Sequence, residues 1–164
     1  MIQDRFLLVI LIAIGVLVVL AVGLYFLRGD TQDYSLEDSP QGVLRNYVLA
    51  LEKGDYQRAY GYLRDADRKP DYEEFRQAFL NKSLDPSGTV LQIGDAKGSG
   101  DEMILPVVVV YGSRGPFGST FRESSNALLV KNQDGDWKIA NLPYPYWGWD
   151  WYTSRQEAPT RSPP

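Results

Sequence analysis

The sequence contains neither cysteine nor histidine. Without cysteine the chain can form no disulfide bond and offers no thiol nucleophile. Without histidine as well, it lacks the usual ligands of zinc sites, the serine–histidine–aspartate arrangement and every cysteine–histidine pair. We therefore predict that the protein has no metal and no cofactor, and that it is not an enzyme.

Positive charge is also scarce. The chain has 17 Lys and Arg against 21 Asp and Glu, which gives a formal net charge of −4. Proteins that bind nucleic acid need a positively charged surface to neutralise phosphates. We therefore predict no nucleic-acid partner.

The amino-terminal region has no charged residue from Phe6 to Leu27. At 1.5 Å per residue, an apolar run of about 22 residues matches a bilayer core of roughly 30 Å, so a transmembrane helix is predicted over 6–27. A cleaved signal peptide is the alternative, because Ala21-Val22-Gly23 offers a small-x-small cleavage site. The apolar run continues past that site, which favours an uncleaved signal-anchor.

The flanks of this run predict its orientation. Residues 1–5 contain Arg5, whereas the segment after Arg28 is acidic, and the orientation rule counts Lys and Arg. The short amino-terminal flank is therefore placed in the cytoplasm, and the rest of this single-pass protein is placed outside the cell membrane. Residues 28–38 are predicted to be a linker, and the Pro- and Ser-containing residues 153–164 a disordered tail.

Three amphipathic helices are predicted after the linker. Ser39 and Pro40 supply the N-cap and the first position of a helix that ends at Gly54. Asp55 caps a second helix, and Asp71 opens an Asp-x-x-Glu cap for a third. Apolar residues recur at helical spacing in all three, so the helices need one common surface to cover.

Alternating and continuous apolar stretches predict a sheet in the second half of the domain. Pro106 interrupts the most apolar stretch and cannot donate a ladder hydrogen bond, so we expect a bulge or an edge there that bends the sheet. Helices followed by strands indicate an α+β domain, with three helices packed on a curved antiparallel sheet of about four strands. The predicted strands are 89–93, 103–111, 119–130 and 137–142.

Two stretches carry a family resemblance: SPQGVLRNYVLALEKGDYQRAYGYL (Ser39 to Leu63) and GDWKIANL (Gly135 to Leu142). They resemble the opening helix pair and the closing strand of the nuclear transport factor 2-like superfamily, the cystatin-like cone shared with ketosteroid isomerase. The resemblance covers residues 39–142 and implies a cone-shaped fold. It leaves the activity open, because one fold supports many functions.

Enzymes of that superfamily place an acid or a base inside the cone. The candidate carboxylates here, Asp95 and Asp101, lie beside glycines and are expected in solvated turns. A lyase or isomerase that uses either of them is the weakest hypothesis. We predict a noncatalytic binding or assembly module, with an unknown protein partner or self-association. The alternative is a small apolar ligand held in the cone and oriented by Tyr111 or Arg122, although Arg122 also fits a merely exposed strand.

The stretch YPYWGWDWY contains three of the four tryptophans. We predict that residues 143–152 form an extended aromatic ribbon, with Trp147, Trp149 and Trp151 on one face. Three indoles in water would expose several hundred Å² of apolar surface, so we expect the ribbon to fold back over its own sheet or to close the cone. A partner, bilayer headgroups or sugar stacking are the open alternatives. These three residues, with Tyr111 and Arg122, are the predicted ligand- or partner-binding residues.

Overall fold

The computed structural model describes residues 2–27, 33–112 and 119–153, and within the first range it describes the side chains of residues 7–23. The chain divides into two compact units, Met1–Asp33 and Tyr34–Pro164.

The first unit contains one helix, α1 (Ile2–Leu27), of 26 residues. Its described side chains are all solvent-exposed. In the part of the chain that the structure describes, no helix combines the length and the apolarity that a membrane crossing requires. The helix predicted over 6–27 is confirmed as a helix, whereas its crossing of a membrane stays a prediction.

The second unit begins with three helices, each capped at its first turn by the predicted side chain. Ser39 accepts a hydrogen bond from the backbone N–H of Gly42 at 3.1 Å, and Asp71 accepts one from Glu74 at 2.8 Å. Asp55 caps the middle helix in the same way. The helices are α2 (Pro40–Glu52), α3 (Tyr56–Gly61) and α4 (Tyr72–Leu80).

A five-stranded antiparallel sheet follows, in the order β1-β3-β4-β5 with β2 also paired to β3. The predicted α+β class is thus confirmed, with one strand more than expected. The extra strand, β2, is short, fully exposed and contains a glycine, so it has no apolar pattern to predict it. The strands are β1 (Thr89–Ile93), β2 (Lys97–Ser99), β3 (Glu102–Tyr111), β4 (Phe121–Lys131) and β5 (Trp137–Asn141).

Pro106 lies at a local edge of the sheet. It pairs with Asn126 in a continuous register between β3 and β4, while β1 and β2 leave a gap on its other side. The Pro106 carbonyl faces that gap and accepts a hydrogen bond from Gly94 N at 2.8 Å. Gly94 continues the β1–β3 register opposite Pro106, where an antiparallel pair ordinarily exchanges two bonds. The missing Pro106 N–H forfeits the second of these bonds, and the ladder ends here. The predicted edge is correct, and the irregularity lies instead in β4, between Leu128 and Leu129.

The core fills the space between the helices and one face of the sheet. Along β3, Leu105, Val107 and Val109 are almost fully buried and alternate with partly exposed neighbours. Burying each such side chain stabilises the fold by roughly 1.5–3 kcal/mol. Leu44 and Tyr47 of α2 are fully buried in the same cluster.

Part of the predicted linker is bound to the domain. Ser35 donates its backbone N–H to Asn46 Oδ1, and Asn46 Nδ2 donates to the Ser35 carbonyl, both at 2.8 Å. Glu37 accepts hydrogen bonds from Arg58 Nη2 at 2.8 Å and from the Tyr62 hydroxyl at 2.6 Å. The folded domain therefore starts before the first residue of α2.

Candidate functional site

The aromatic segment near the carboxyl end is built of turns and is not an extended ribbon. Trp147 and Trp151 are buried, with 5% and 6% of their surface exposed, whereas Trp149 is 90% exposed. The prediction that the three indoles share one face is therefore wrong. The chain turns at Gly148, whose carbonyl accepts a hydrogen bond from Trp151 N at 3.2 Å, so strand alternation does not apply. Trp151 lies directly against Gly148, where a Cβ would come within 2.5 Å of the indole.

The two buried indoles fold back onto their own domain, and the ring contacts of Trp151 outside the segment are with α4, whereas the prediction was a ribbon over the sheet or at the mouth of the cone. The ring of Trp151 lies 5.2 Å from that of Trp147 and 5.3 Å from that of Phe75 on α4. Trp147 also stacks on Tyr152 at 5.6 Å. These contacts place Trp147 and Trp151 inside the core cluster.

Buried tyrosines accompany this segment and hold it by hydrogen bonds. The Tyr146 hydroxyl lies 2.9 Å from Thr89 Oγ1, and the Tyr152 hydroxyl donates to the Arg64 carbonyl at 2.6 Å. Burial raises the pKa of Tyr47 well above its usual value, and burial also raises the pKa of Tyr146 and of Tyr152. These hydroxyls therefore stay protonated near neutral pH and serve as structural groups and not as bases.

Three aromatic side chains form an exposed group at the ends of β3 and β4, which we call the aromatic rim: Tyr111, Phe121 and Tyr144. Tyr111 pairs with Phe121 across the two strands, and their ring centroids are 5.8 Å apart. The Tyr111 hydroxyl lies 3.3 Å from both Glu123 Oε2 and the Tyr144 carbonyl. Phe121 is 64% exposed and Tyr144 is 57% exposed. The rim thus presents two largely exposed rings. The backbone of Phe121 is held by strand pairing, whereas that of Tyr144 lies in a turn and is bonded through its carbonyl to Tyr111.

Tyr111 and Arg122 do not converge on one ligand. Arg122 pairs with Val110, so it lies one residue out of phase with Tyr111 and Phe121. Because side chains alternate between the faces of a strand, Arg122 belongs to the opposite face of the sheet, where it is exposed. The sequence alone could not fix this relation, since it depends on the register between β3 and β4. The register therefore removes Arg122 from the residues that could orient a ligand inside the cone, and it leaves Tyr111, on the same face of β3 as Val109, as the remaining candidate.

The two carboxylates considered for catalysis are exposed. Asp95 lies between β1 and β2, and Asp101 lies between β2 and β3. Neither is enclosed by apolar side chains that would tune it as an acid or base, so the lyase or isomerase hypothesis loses its candidates. Within the described ranges, no group of three or more Asp and Glu residues is arranged to hold a metal ion.

No protein-family model matches the sequence, and no curated protein matches it significantly. Several solved structures, three of which follow, are similar in backbone. A SEC-C motif containing protein from Rhodopseudomonas palustris is 14% identical, with 65% of this chain and 79% of that chain covered and a TM-score of 0.47. A Campylobacter jejuni protein named as an NTF2-like transpeptidase is 20% identical, with 63% and 99% covered and a TM-score of 0.44.

The third is an uncharacterized cystatin fold protein from Novosphingobium aromaticivorans. It is 14% identical, with 67% of this chain and 98% of that chain covered and a TM-score of 0.41. At TM-scores below 0.5, none of the three similarities decides the family, activity or partner of this chain.

Proposed function

We propose that this protein is a noncatalytic binding or assembly module whose contact surface is the aromatic rim. The observation that carries the proposal is the exposure of Phe121 and Tyr144 at 64% and 57% beside the half-buried Tyr111. A packed aromatic ring buries about 150–250 Å², so covering this group with a partner would release considerable apolar surface from water. Aromatic side chains are enriched in the centres of protein interfaces.

The rigidity of the rim supports this role. Tyr111 and Phe121 are held by the β3–β4 ladder, and the Tyr144 backbone is bonded to the Tyr111 hydroxyl. A surface already fixed in its bound conformation loses little entropy when a partner binds. Glu123 adds a negative charge beside the Tyr111 hydroxyl, which favours a partner surface with an apolar side chain flanked by Lys or Arg.

The indoles that fill part of the interior support the noncatalytic part of the proposal. Trp147 and Trp151 occupy the core, and the nearby tyrosine hydroxyls are protonated and bonded. The order of three helices and then an antiparallel sheet, with the two matching stretches at 39–63 and 135–142, supports a nuclear transport factor 2-like cone as the fold of this module.

We further propose that α1 anchors the chain in the cell membrane as a single pass, with the domain on the extracytoplasmic side. The support is the uncharged apolar run from Phe6 to Leu27 within one continuous helix, together with Arg5 on its amino-terminal side.

Site-specific photo-crosslinking tests the role of the rim. A photoreactive amino acid replaces Phe121 in one variant and Asp134, an exposed residue of the β4–β5 turn, in the control. In the source cells, we expect a discrete crosslinked species from position 121 and none of that size from position 134. Equal patterns from both positions, or no crosslink from position 121, would rule out the rim as the contact surface. A species at twice the mass of the chain would identify self-association.

A further inference from the structure

A recess of about 360 Å³ lies between the carboxyl ends of α2 and α4 and the segment that leads into β1. Its volume falls in the range of small-molecule sites, about 300–1,000 Å³. Its lining includes no residue of the sheet and none of the aromatic rim. The recess is therefore separate from the surface proposed above.

Part of the lining is apolar and aromatic. Tyr56 and Phe79 stack at a centroid distance of 6.0 Å and an interplanar angle of 19°. Leu51 and Leu84 lie in the same lining, and they belong to the core cluster with 6% and 4% of their surface exposed. A wall that is part of the core keeps its shape, and its rings suit a further flat ring in offset or edge contact.

The charged side chains of the lining differ in what holds them. Asp85 is engaged within the domain, because its Oδ1 accepts hydrogen bonds from the backbone N–H of Ser87, at 3.0 Å, and from the Ser87 hydroxyl. Glu52 and Lys82 are exposed, and neither side chain has a hydrogen bond or an ion pair to any residue that the structure describes. The border of the recess thus offers one unpaired carboxylate and one unpaired ammonium group.

The backbone of Lys82 supports a role for its side chain. Its φ of +62° lies in the left-handed region that favours glycine, one residue after Asn81, the C-cap of α4. Glycine would adopt this conformation at lower cost, so the fold holds a long cationic side chain where a residue without one is favoured. Backbone strain of this kind is concentrated at functional sites.

We propose that this recess binds a free amino acid with an aromatic side chain. The ring lies against Tyr56 and Phe79, the ammonium group at Glu52 and the carboxylate at Lys82. An amine or a carboxylic acid would be attracted by one of these two charges and repelled by the other, whereas a zwitterion is attracted by both. The aromatic wall then selects among amino acids, because burying a ring removes apolar surface from water.

Equilibrium dialysis with a matched set of probes tests the proposal. Phenylalanine carries both charges, phenethylamine lacks the carboxylate, 3-phenylpropionate lacks the ammonium group, and alanine lacks the ring. The full chain is held in nanodiscs, and empty nanodiscs serve as the blank. We expect saturable binding of phenylalanine with a Kd of about 1 mM or tighter. Each single-charge probe should bind at least about threefold more weakly, and alanine at least about tenfold more weakly.

Two charge variants and one control locate the two ends of the bound amino acid. Glu52→Gln should weaken phenylalanine at least about threefold and bring its Kd close to that of 3-phenylpropionate. Lys82→Gln should weaken phenylalanine by a similar factor and bring its Kd close to that of phenethylamine. Glu102→Gln, at an exposed position on β3 outside the recess, should leave every Kd unchanged.

The proposal is overturned if phenylalanine shows no saturable binding, or if any of the other three probes binds as tightly as phenylalanine does. Equal effects of the Glu52, Lys82 and Glu102 changes would also overturn it. Unchanged melting curves for the three variants show that folding is not the cause of any difference. The comparison of probes on the parent chain decides the proposal without any variant.

Discussion

The Tyr47 hydroxyl on α2 donates a hydrogen bond to the backbone carbonyl of Tyr146, at 2.7 Å and across 99 positions of the chain. Both residues are almost fully buried. The bond ties the carboxyl-terminal aromatic segment to the first helix of the domain. The segment is thus an integral part of the fold, and the exposed aromatic rim starts beside it at Tyr144.

Removing this hydroxyl should destabilise the domain. In Tyr47→Phe, the Tyr146 carbonyl stays buried without its donor, which we expect to cost about 1–3 kcal/mol in the free energy of unfolding. Urea unfolding followed by fluorescence measures the difference. Tyr144→Phe, at a largely exposed ring, is the matched control and should change stability by less than about 0.5 kcal/mol. A Tyr47→Phe protein as stable as the control would contradict the bond.

The Glu37 carboxylate should make stability depend on pH on the acid side. A hydrogen bond from Tyr62, and then the contact with Arg58, hold the pKa of Glu37 below its usual value. The folded state therefore releases this proton more readily than the unfolded state. The resulting stabilisation is present above the unfolded pKa and is lost as the pH falls through the folded one.

The variant Glu37→Gln checks this dependence. We expect it to be less stable than the parent chain near neutral pH, and the difference to shrink as the pH falls below about 4. Glu102→Gln serves as the control, because Glu102 is exposed at the start of β3, away from the linker contacts and from the helix ends. Thermal melts of both proteins, recorded at steps of about one pH unit between pH 3 and pH 7, measure how the stability difference varies with pH. A difference that does not vary with pH would refute the role of Glu37.

Membrane attachment follows from the anchor proposal. The full chain should stay with membranes after alkaline extraction, whereas a variant lacking residues 1–33 should be released. A reporter fused after Pro164 should be active outside the cytoplasm. A mature chain that begins near Leu24, or a reporter active in the cytoplasm, would contradict the anchor or its orientation.

Local chemistry made the helices predictable. Each cap acts within three residues, so Ser39, Asp55 and Asp71 could be assigned from the sequence and are found in place. The same holds for Gly54, which follows the end of α2 at Glu52 by two residues and whose φ of +70° suits a residue without a Cβ. The α+β class then followed from the order of the elements.

Long-range packing limited the prediction of the site. The opposite placement of Tyr111 and Arg122 depends on strand register, which neither strand contains by itself. The position of Trp151 depends on Phe75, far away in sequence, and on the room left by Gly148. The prediction that alternate side chains of this segment share one face was wrong, because the backbone turns at Gly148 and is not extended.

The most direct test compares the three neighbouring tryptophans. Trp147 and Trp151 are buried in the interior whereas Trp149 lies at the surface, so the proposed binding is left to the outside of the domain. Each of Trp147→Ala and Trp151→Ala should lower the free energy of unfolding by about 3–5 kcal/mol. Trp149→Ala should change it by less than about 0.5 kcal/mol. Equal and small effects at all three positions would show that the interior is not filled by these indoles and would contradict the account.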